Sequence, residues 1–218
     1  MESGNAPQEY GQGNSPVDAA SIVQRMAWAA EDLPAREPGL MIATHGKHSP
    51  VGEWLLRQMG HRDDRNRICV SGDPGQIVRS VRELALGGTQ VSRAAFGFEL
   101  HHLTAPQALE VLQWTREMLA EHGVVFFVDY ALAGVPAHEV RAATCTELET
   151  RQVMGEKYKG DRDRWIADHR TYTGALMREL VLATGYANVT DLALPAARHL
   201  VMGTGSPSVR PAEWRQSA

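Results

Sequence analysis

Apolar residues recur at three- and four-residue steps from about Ala105 to Glu121, at Leu109, Leu112 and Leu119. That spacing predicts a helix with one apolar face. Gly123 follows, where a helix end favours a residue free to take positive φ. Val124 to Val128 is then apolar without alternation, which predicts a short strand covered on both faces. The same change of period runs upstream. Gly39 to Thr44 reads as a buried strand, and Ser49-Pro50 opens a helix that Gly60 closes. Arg67 to Ser71 reads as a second strand. Gly72-Asp73-Pro74-Gly75 is a turn and Gln76 to Leu86 a helix. Val91 to Phe98 is a third strand, and it runs into Glu99-Leu100-His101-His102-Leu103.

Downstream, Pro136 to about Met154 is expected to be helical, Gly155 to Arg162 a charged connector, and Asp163 to Thr184 a second helix. Val189 to Leu194 and His199 to Gly203 are expected to form an antiparallel pair around Pro195. Ser15-Pro16 opens a leading helix that reaches about Asp32. Residues 1–15, polar and rich in Gly, Asn and Gln, are expected to be disordered, and residues 205–218 to form a loose tail. Strand–helix alternation of this kind predicts an α/β domain over residues 16–204 with a mostly parallel sheet.

Composition narrows the picture modestly. A chain of 218 residues that is 43% hydrophobic fits one core. A net charge of −4 gives no footprint for nucleic acid. No apolar run is long enough to span a bilayer, and no signal-peptide core is present, so no membrane partner and a cytoplasmic location are expected. Cys69 and Cys145 have no metal or redox spacing, and Cys69 is expected to pack inside its strand.

The block Leu100-His101-His102-Leu103, the helix after it, and Gly123 to Asp129 resemble the second half of the class I S-adenosylmethionine-dependent methyltransferases. Thr184-Gly185-Tyr186-Ala187-Asn188-Val189 is similar to that family's entry into its C-terminal hairpin. The resemblance implies a Rossmann-like fold, a mostly parallel sheet with a C-terminal antiparallel hairpin, a small-molecule substrate, and S-adenosylmethionine over the carboxyl ends of the strands. The chain departs from the pattern twice. The stretch Ala43-Thr44-His45-Gly46-Lys47-His48-Ser49-Pro50 keeps one glycine and no preceding acid; it is similar to a shortened form of the loop in salicylate-type carboxyl methyltransferases. Between Asp73 and Glu99 there is room for one helix and one strand, one strand–helix unit fewer than the family carries.

The resemblance implies Thr44, Gly46, Asp73 and Glu99 as cofactor-binding residues. A carboxylate at Asp73 would accept both ribose hydroxyls; equally, Asp-Pro-Gly is a turn formula. His45, His48, His101 and His102 fall on loops that this fold brings together, with Glu99 beside them. Neutral imidazoles there can act as a general base, a substrate clamp or metal ligands. His45, His48 and His101 would give three ligands and an open position; against this, one histidine of such a pair commonly packs, and His48 commonly serves as a polar residue ahead of a helix. His101 is expected to face the pocket and His102 to pack inward, since neighbours at a strand end point oppositely. Tyr130 either lines the pocket or simply ends the strand. Trp165, Asp168, His169, Arg170 and Tyr172 either face substrate or form a solvated surface. Trp28, Trp54, Trp114 and Trp165 are expected in core or interface.

Three functions follow. The first is a small-molecule methyltransferase with His101 or His102 as base. The second is an enzyme on the same scaffold doing cyclase, lyase or isomerase chemistry with the histidine cluster, with or without metal. The third is a catalytically silent subunit paired with an active enzyme. A homodimer suits any of them.

Overall fold

The computed structural model describes residues 38–44, 49–61, 64–130, 172–194 and 198–204. Strand β1 (Gly39–Ala43) leads to helix α1 (Pro50–Gln58). Strand β2 (Arg67–Ser71), helix α2 (Pro74–Leu86) and strand β3 (Val91–Gly97) follow. A short 3-10 turn, Leu100–His102, precedes helix α3 (Ala105–Met118) and strand β4 (Leu119–Tyr130). Helix α4 (Gly174–Ala183) and strands β5 (Ala187–Leu194) and β6 (Arg198–Thr204) complete the order. The expected leading helix, the helix over residues 136–154, the charged connector, the residues around Pro195 and both tails lie outside the described residues.

The six strands form one sheet in the order β2-β1-β3-β4-β6-β5. The first four are mutually parallel, and β6 runs antiparallel to both β4 and β5. After β2 the chain crosses back over β1 to lay down β3, so strand order reverses between β1 and β3. That reversal opens a crevice at the carboxyl ends of these two strands. A single helix joins β2 to β3, and among the described residues β2 is the edge of the sheet.

Local signals explain the helices. Each starts at a side-chain cap: the oxygens of Ser49, Asp73, Thr104 and Thr173 accept from backbone N–H groups in the first turn. Proline is the first helical residue of α1 and α2 and the second of α3, where its missing N–H costs nothing. Gly60, at φ +79°, turns the chain out of α1. Thr173 caps α4, so Tyr172 and Thr173 lie before the helix rather than within it, and the earlier residues of the expected helix are outside the described ones.

Helix α3 is shorter than its pattern suggests. It stops at Met118, and β4 begins at Leu119. Gly123 is therefore within the strand, not a helix cap. The register explains how: Val91 pairs with Leu119, but Arg93 pairs with Val124, so the extra residues of β4 form an irregularity beside Gly123. Beyond it, Val124 to Val128 are buried on both faces, as their unbroken apolar run predicts.

The sheet separates two apolar layers. Leu40, Ile42, Phe96, Val125 and Phe127 face α2, α3 and α4, packing on Ile77, Val81, Leu112 and Val181. Met41, Ala95, Val124, Phe126 and Val128 face α1 through Val51, Leu55 and Leu56, with Trp54 half-buried at the margin. The Phe96 and Phe127 rings lie 4.7 Å apart between centroids. Burying each such side chain contributes roughly 1.5–3 kcal/mol, which anchors β3 and β4 just short of the residues that carry the chemistry. Cys69 departs from expectation: β2 is an edge strand, and the thiol is exposed rather than packed.

Candidate active site

The carboxyl ends of β1, β3 and β4 converge on five buried polar side chains, those of Thr44, Ser49, Glu99, His101 and Asp129. Gly97, the last residue of β3, lets main chain approach main chain. A Cβ there would lie 2.5 Å from Val51 Cβ and 2.7 Å from the Gly52 nitrogen. The end of β3 thus rests on the first turn of α1, and the Ser49 hydroxyl reaches the Gly97 carbonyl at 3.4 Å. Phe98 follows at φ +62°. For a bulky non-glycine residue this is a strained conformation. The Phe98 N–H donates to the Val128 carbonyl at 2.8 Å, which ties the strained residue to β4.

Glu99, next in the chain, crosses to β1. Its Oε2 accepts from the Thr44 N–H at 2.7 Å and also from the Thr44 hydroxyl. The Ser49 hydroxyl donates to the same carboxylate. Glu99 is 7% exposed. Burial pushes its carboxyl above the usual range, against the hydrogen bonds from Thr44 and Ser49 and the nearby His101.

His101 and Asp129 form the second pair. Asp129 near the end of β4 is fully buried, and His101 is 3% exposed. Oδ1 of Asp129 lies 2.7 Å from His101 Nδ1, and Oδ2 accepts the His101 backbone N–H at 3.0 Å. An ionised carboxylate only accepts, so opposite one Nδ1 donates, and in a neutral ring Nε2 would then keep its lone pair. The His102 ring lies against that of His101, with centroids 3.9 Å apart and planes tilted by 47°. His101 is the buried member and His102 the half-buried one, against the expectation that His102 packs inward. The alternation argument fails because both residues sit in a 3-10 turn, not on a strand. The Tyr172 hydroxyl pins the end of that turn, donating to the Leu103 carbonyl at 2.8 Å. Tyr172 is thus a support beneath the histidines. Trp165, Asp168, His169 and Arg170 lie outside the described residues.

Of the two roles open to Asp73, the structure shows the turn. It is the N-cap of α2 in a capping box: its Oδ1 accepts from the Gln76 N–H at 2.9 Å, and Gln76 Oε1 accepts from the Asp73 N–H at 3.1 Å. The turn formula is therefore realised. His45, Gly46 and His48 lie outside the described residues, as does the Tyr130 side chain, whose backbone ends β4. Among the described residues no group of three His, Cys, Asp or Glu side chains could hold a metal. No helix among them is long and apolar enough to cross a membrane.

Asp129 was absent from the residues singled out by sequence as chemical. Its signal was present as the carboxylate closing an apolar strand, adjacent in the sheet to the strand that leads into a histidine turn.

No family model and no curated protein matches this sequence. Solved structures do. Human N-acetylserotonin methyltransferase, solved with S-adenosylmethionine, is 9% identical and superposes with a TM-score of 0.52 over 87% of this chain and 52% of its own. An O-methyltransferase family protein from Burkholderia thailandensis is 13% identical, with a TM-score of 0.51 over 87% of this chain and 58% of its own. The fold is that of the class I methyltransferases. The chain spans little more than half the length of these methyltransferases.

The described residues of this methyltransferase fold suit the proposed cofactor in two respects. Glu99 offers a buried carboxylate, held only by neutral donors among the residues that the hydrogen bonds name, at the crevice between β1 and β3. Asp73 offers a second carboxylate beyond β2, with one oxygen used by the helix cap.

Proposed function

We propose that this protein transfers a methyl group from S-adenosylmethionine to a small molecule whose accepting atom carries a proton. The observation that carries the reading is the His101–Asp129 pair, set beside the strand-order reversal of a methyltransferase fold. Thr44, Gly46, Asp73 and Glu99 would hold the cofactor, which supplies a methyl group already activated on a sulfonium.

The protein's own task is then small. It must align the acceptor and remove its proton. His101 takes that proton at Nε2. Asp129 fixes the tautomer through Nδ1 and favours the imidazolium that results. The backbone hydrogen bond to the same carboxylate prevents the turn from rotating as the charge develops. His102, its ring set against that of His101 at a tilt, restricts its movement. Because His101 and Asp129 are buried, the charge pair forms where water screens it little.

Calorimetric titration with S-adenosylhomocysteine tests this reading. Binding with a Kd in the micromolar range or tighter is expected. No heat and no thermal shift at millimolar ligand would overturn it.

A further inference from the structure

Helix α4 is bracketed by two buried tyrosines, and each donates its hydroxyl to a main-chain carbonyl of the segment that carries the histidines. Tyr172, just before the Thr173 cap, donates to Leu103 at 2.8 Å. Tyr186, just past Gly185, donates to Leu112 within α3 at 2.9 Å. Gly185, at φ +81°, turns the chain out of α4, and Arg116 Nε donates to its carbonyl at 2.8 Å. Helix α4 is therefore tied at both ends to the segment from the histidine turn through α3.

The two ties act on different things. Leu112 stands within the regular ladder of α3. Leu103 instead closes the 3-10 turn, its N–H donating to the Leu100 carbonyl at 2.9 Å. The ladder of α3 opens one residue later, where the Thr104 carbonyl accepts from the Ala108 N–H at 2.8 Å. A turn of three residues has poor hydrogen-bond geometry and holds little by itself. Asp129 grips it at the His101 N–H from the sheet, and Tyr172 grips it at the Leu103 carbonyl from the α4 side. A segment held at one point can pivot about it; a segment held at two cannot.

We infer that Tyr172 is a positioning residue for proton removal: by holding the Leu103 carbonyl it stops the turn from pivoting about the Asp129 grip, and so fixes where the His101 ring stands. The inference rests on the methyl-transfer reading, in which His101 is the base. It gives the entry to α4 a part in the chemistry although Tyr172 itself touches only the turn. Such a part is worth having, because misplacing a reacting group by about 1 Å costs on the order of a hundredfold in rate. Tyr186 carries the same hydroxyl at the other end of α4, where it braces the helix and leaves the turn alone.

The test compares Tyr172→Phe with Tyr186→Phe, the same deletion at opposite ends of α4. Both are expected to lower Tm by about 2–4 °C, and both to bind S-adenosylhomocysteine within about twofold of wild type. Nuclear magnetic resonance of protein labelled at histidine nitrogens and at backbone amides then reads the turn. In Tyr172→Phe the His101 amide is expected to exchange its hydrogen about tenfold or more faster relative to the amides of β3, the mark of local opening. The His101 Nδ1–H signal is expected to shift or broaden in the same variant. In Tyr186→Phe both signals are expected to match wild type. Unchanged His101 signals in Tyr172→Phe, or equal changes in both variants, overturn the inference and leave the methyl-transfer reading intact. Loss of S-adenosylhomocysteine affinity in Tyr172→Phe also overturns it, since the tyrosine would then serve the cofactor rather than the base. A wild type that does not bind S-adenosylhomocysteine overturns the methyl-transfer reading, and the role given to Tyr172 with it. Should Tyr172→Phe not fold, Tyr172→Met, which fills the space without a donor, is judged by the same criteria.

Discussion

Asp129 grips His101 twice, once through the ring at 2.7 Å and once through the backbone N–H at 3.0 Å. One carboxylate therefore sets both the place of the turn and the tautomer of the base.

Substitution at Asp129 separates these two effects. Asp129→Asn keeps an acceptor but offers an amide N–H to one of the two donors, so the imidazole loses its preferred tautomer. Methyl transfer is expected to fall about a hundredfold or more. Asp129→Ala leaves the buried His101 donors unpaired and should lower stability by roughly 1–3 kcal/mol in addition. Turnover with labelled cofactor and urea denaturation of both variants check this; equal activity in Asp129→Asn and wild type would remove His101 as the base.

Glu99 gives a pH signature of defined sign. Its folded carboxyl titrates above the ordinary value of 4.5, so the folded state holds this proton more tightly than the unfolded chain. Stability from this group is thus greatest below that ordinary value and declines as pH rises through the interval up to the raised value. Glu99→Gln removes the dependence. The difference in Tm, variant minus wild type, is expected to increase from a pH of about 4 towards neutrality. A difference that is flat or shrinks with rising pH would contradict the burial of the charge.

Asp73 answers differently to two substitutions. Asparagine caps helices about as well as aspartate, so Asp73→Asn should leave Tm nearly unchanged. Asp73→Ala loses the cap and should cost about 1 kcal/mol. Any loss of nucleoside affinity shared by both variants then belongs to the carboxylate rather than to the fold of α2. Thermal melts alongside ligand titrations distinguish the two contributions.

Gly97→Ala should destabilise by about 1–3 kcal/mol, the usual range for forcing extra volume into a packed site. Val51→Ala in the same chain should restore only part of the loss, because alanine keeps the Cβ at 2.5 Å and the Gly52 nitrogen also stands in the way. Full rescue by Val51→Ala would mean that the side chain alone sets the spacing.

Much of the fold was legible because the apolar period changes cleanly from element to element. Strands β1, β2 and β3 fall where the apolar runs lie, and the caps Ser49, Asp73 and Thr104 mark helix starts by residue type. The boundary at Gly123 was misread because a glycine signals a helix end and a strand irregularity alike. Only the register between β3 and β4 separates the two. Cys69 was misjudged because an apolar run does not reveal whether its strand is central or at the edge. In the site, the histidine pair and Glu99 were visible as residue types on one loop. Which histidine is buried was not, because the 3-10 turn depends on Tyr172 and Asp129, tens of residues away. The Asp129 grip is likewise a long-range pairing that no local pattern encodes.

Gly97 is seated on the first turn of α1 against both the Val51 side chain and the Gly52 main-chain nitrogen, beside the hydrogen-bonded pair Thr44 and Glu99. Trimming side chains alone therefore leaves a main-chain contact that holds β3 against α1. Accommodation of a bulkier ligand would instead require a longer connection between Thr44 and Ser49, and doubling a loop costs only about 0.6 kcal/mol in closure entropy. Ligand range in this scaffold is thus open to insertion and deletion more than to point substitution, so its diversification would proceed through changes in loop length.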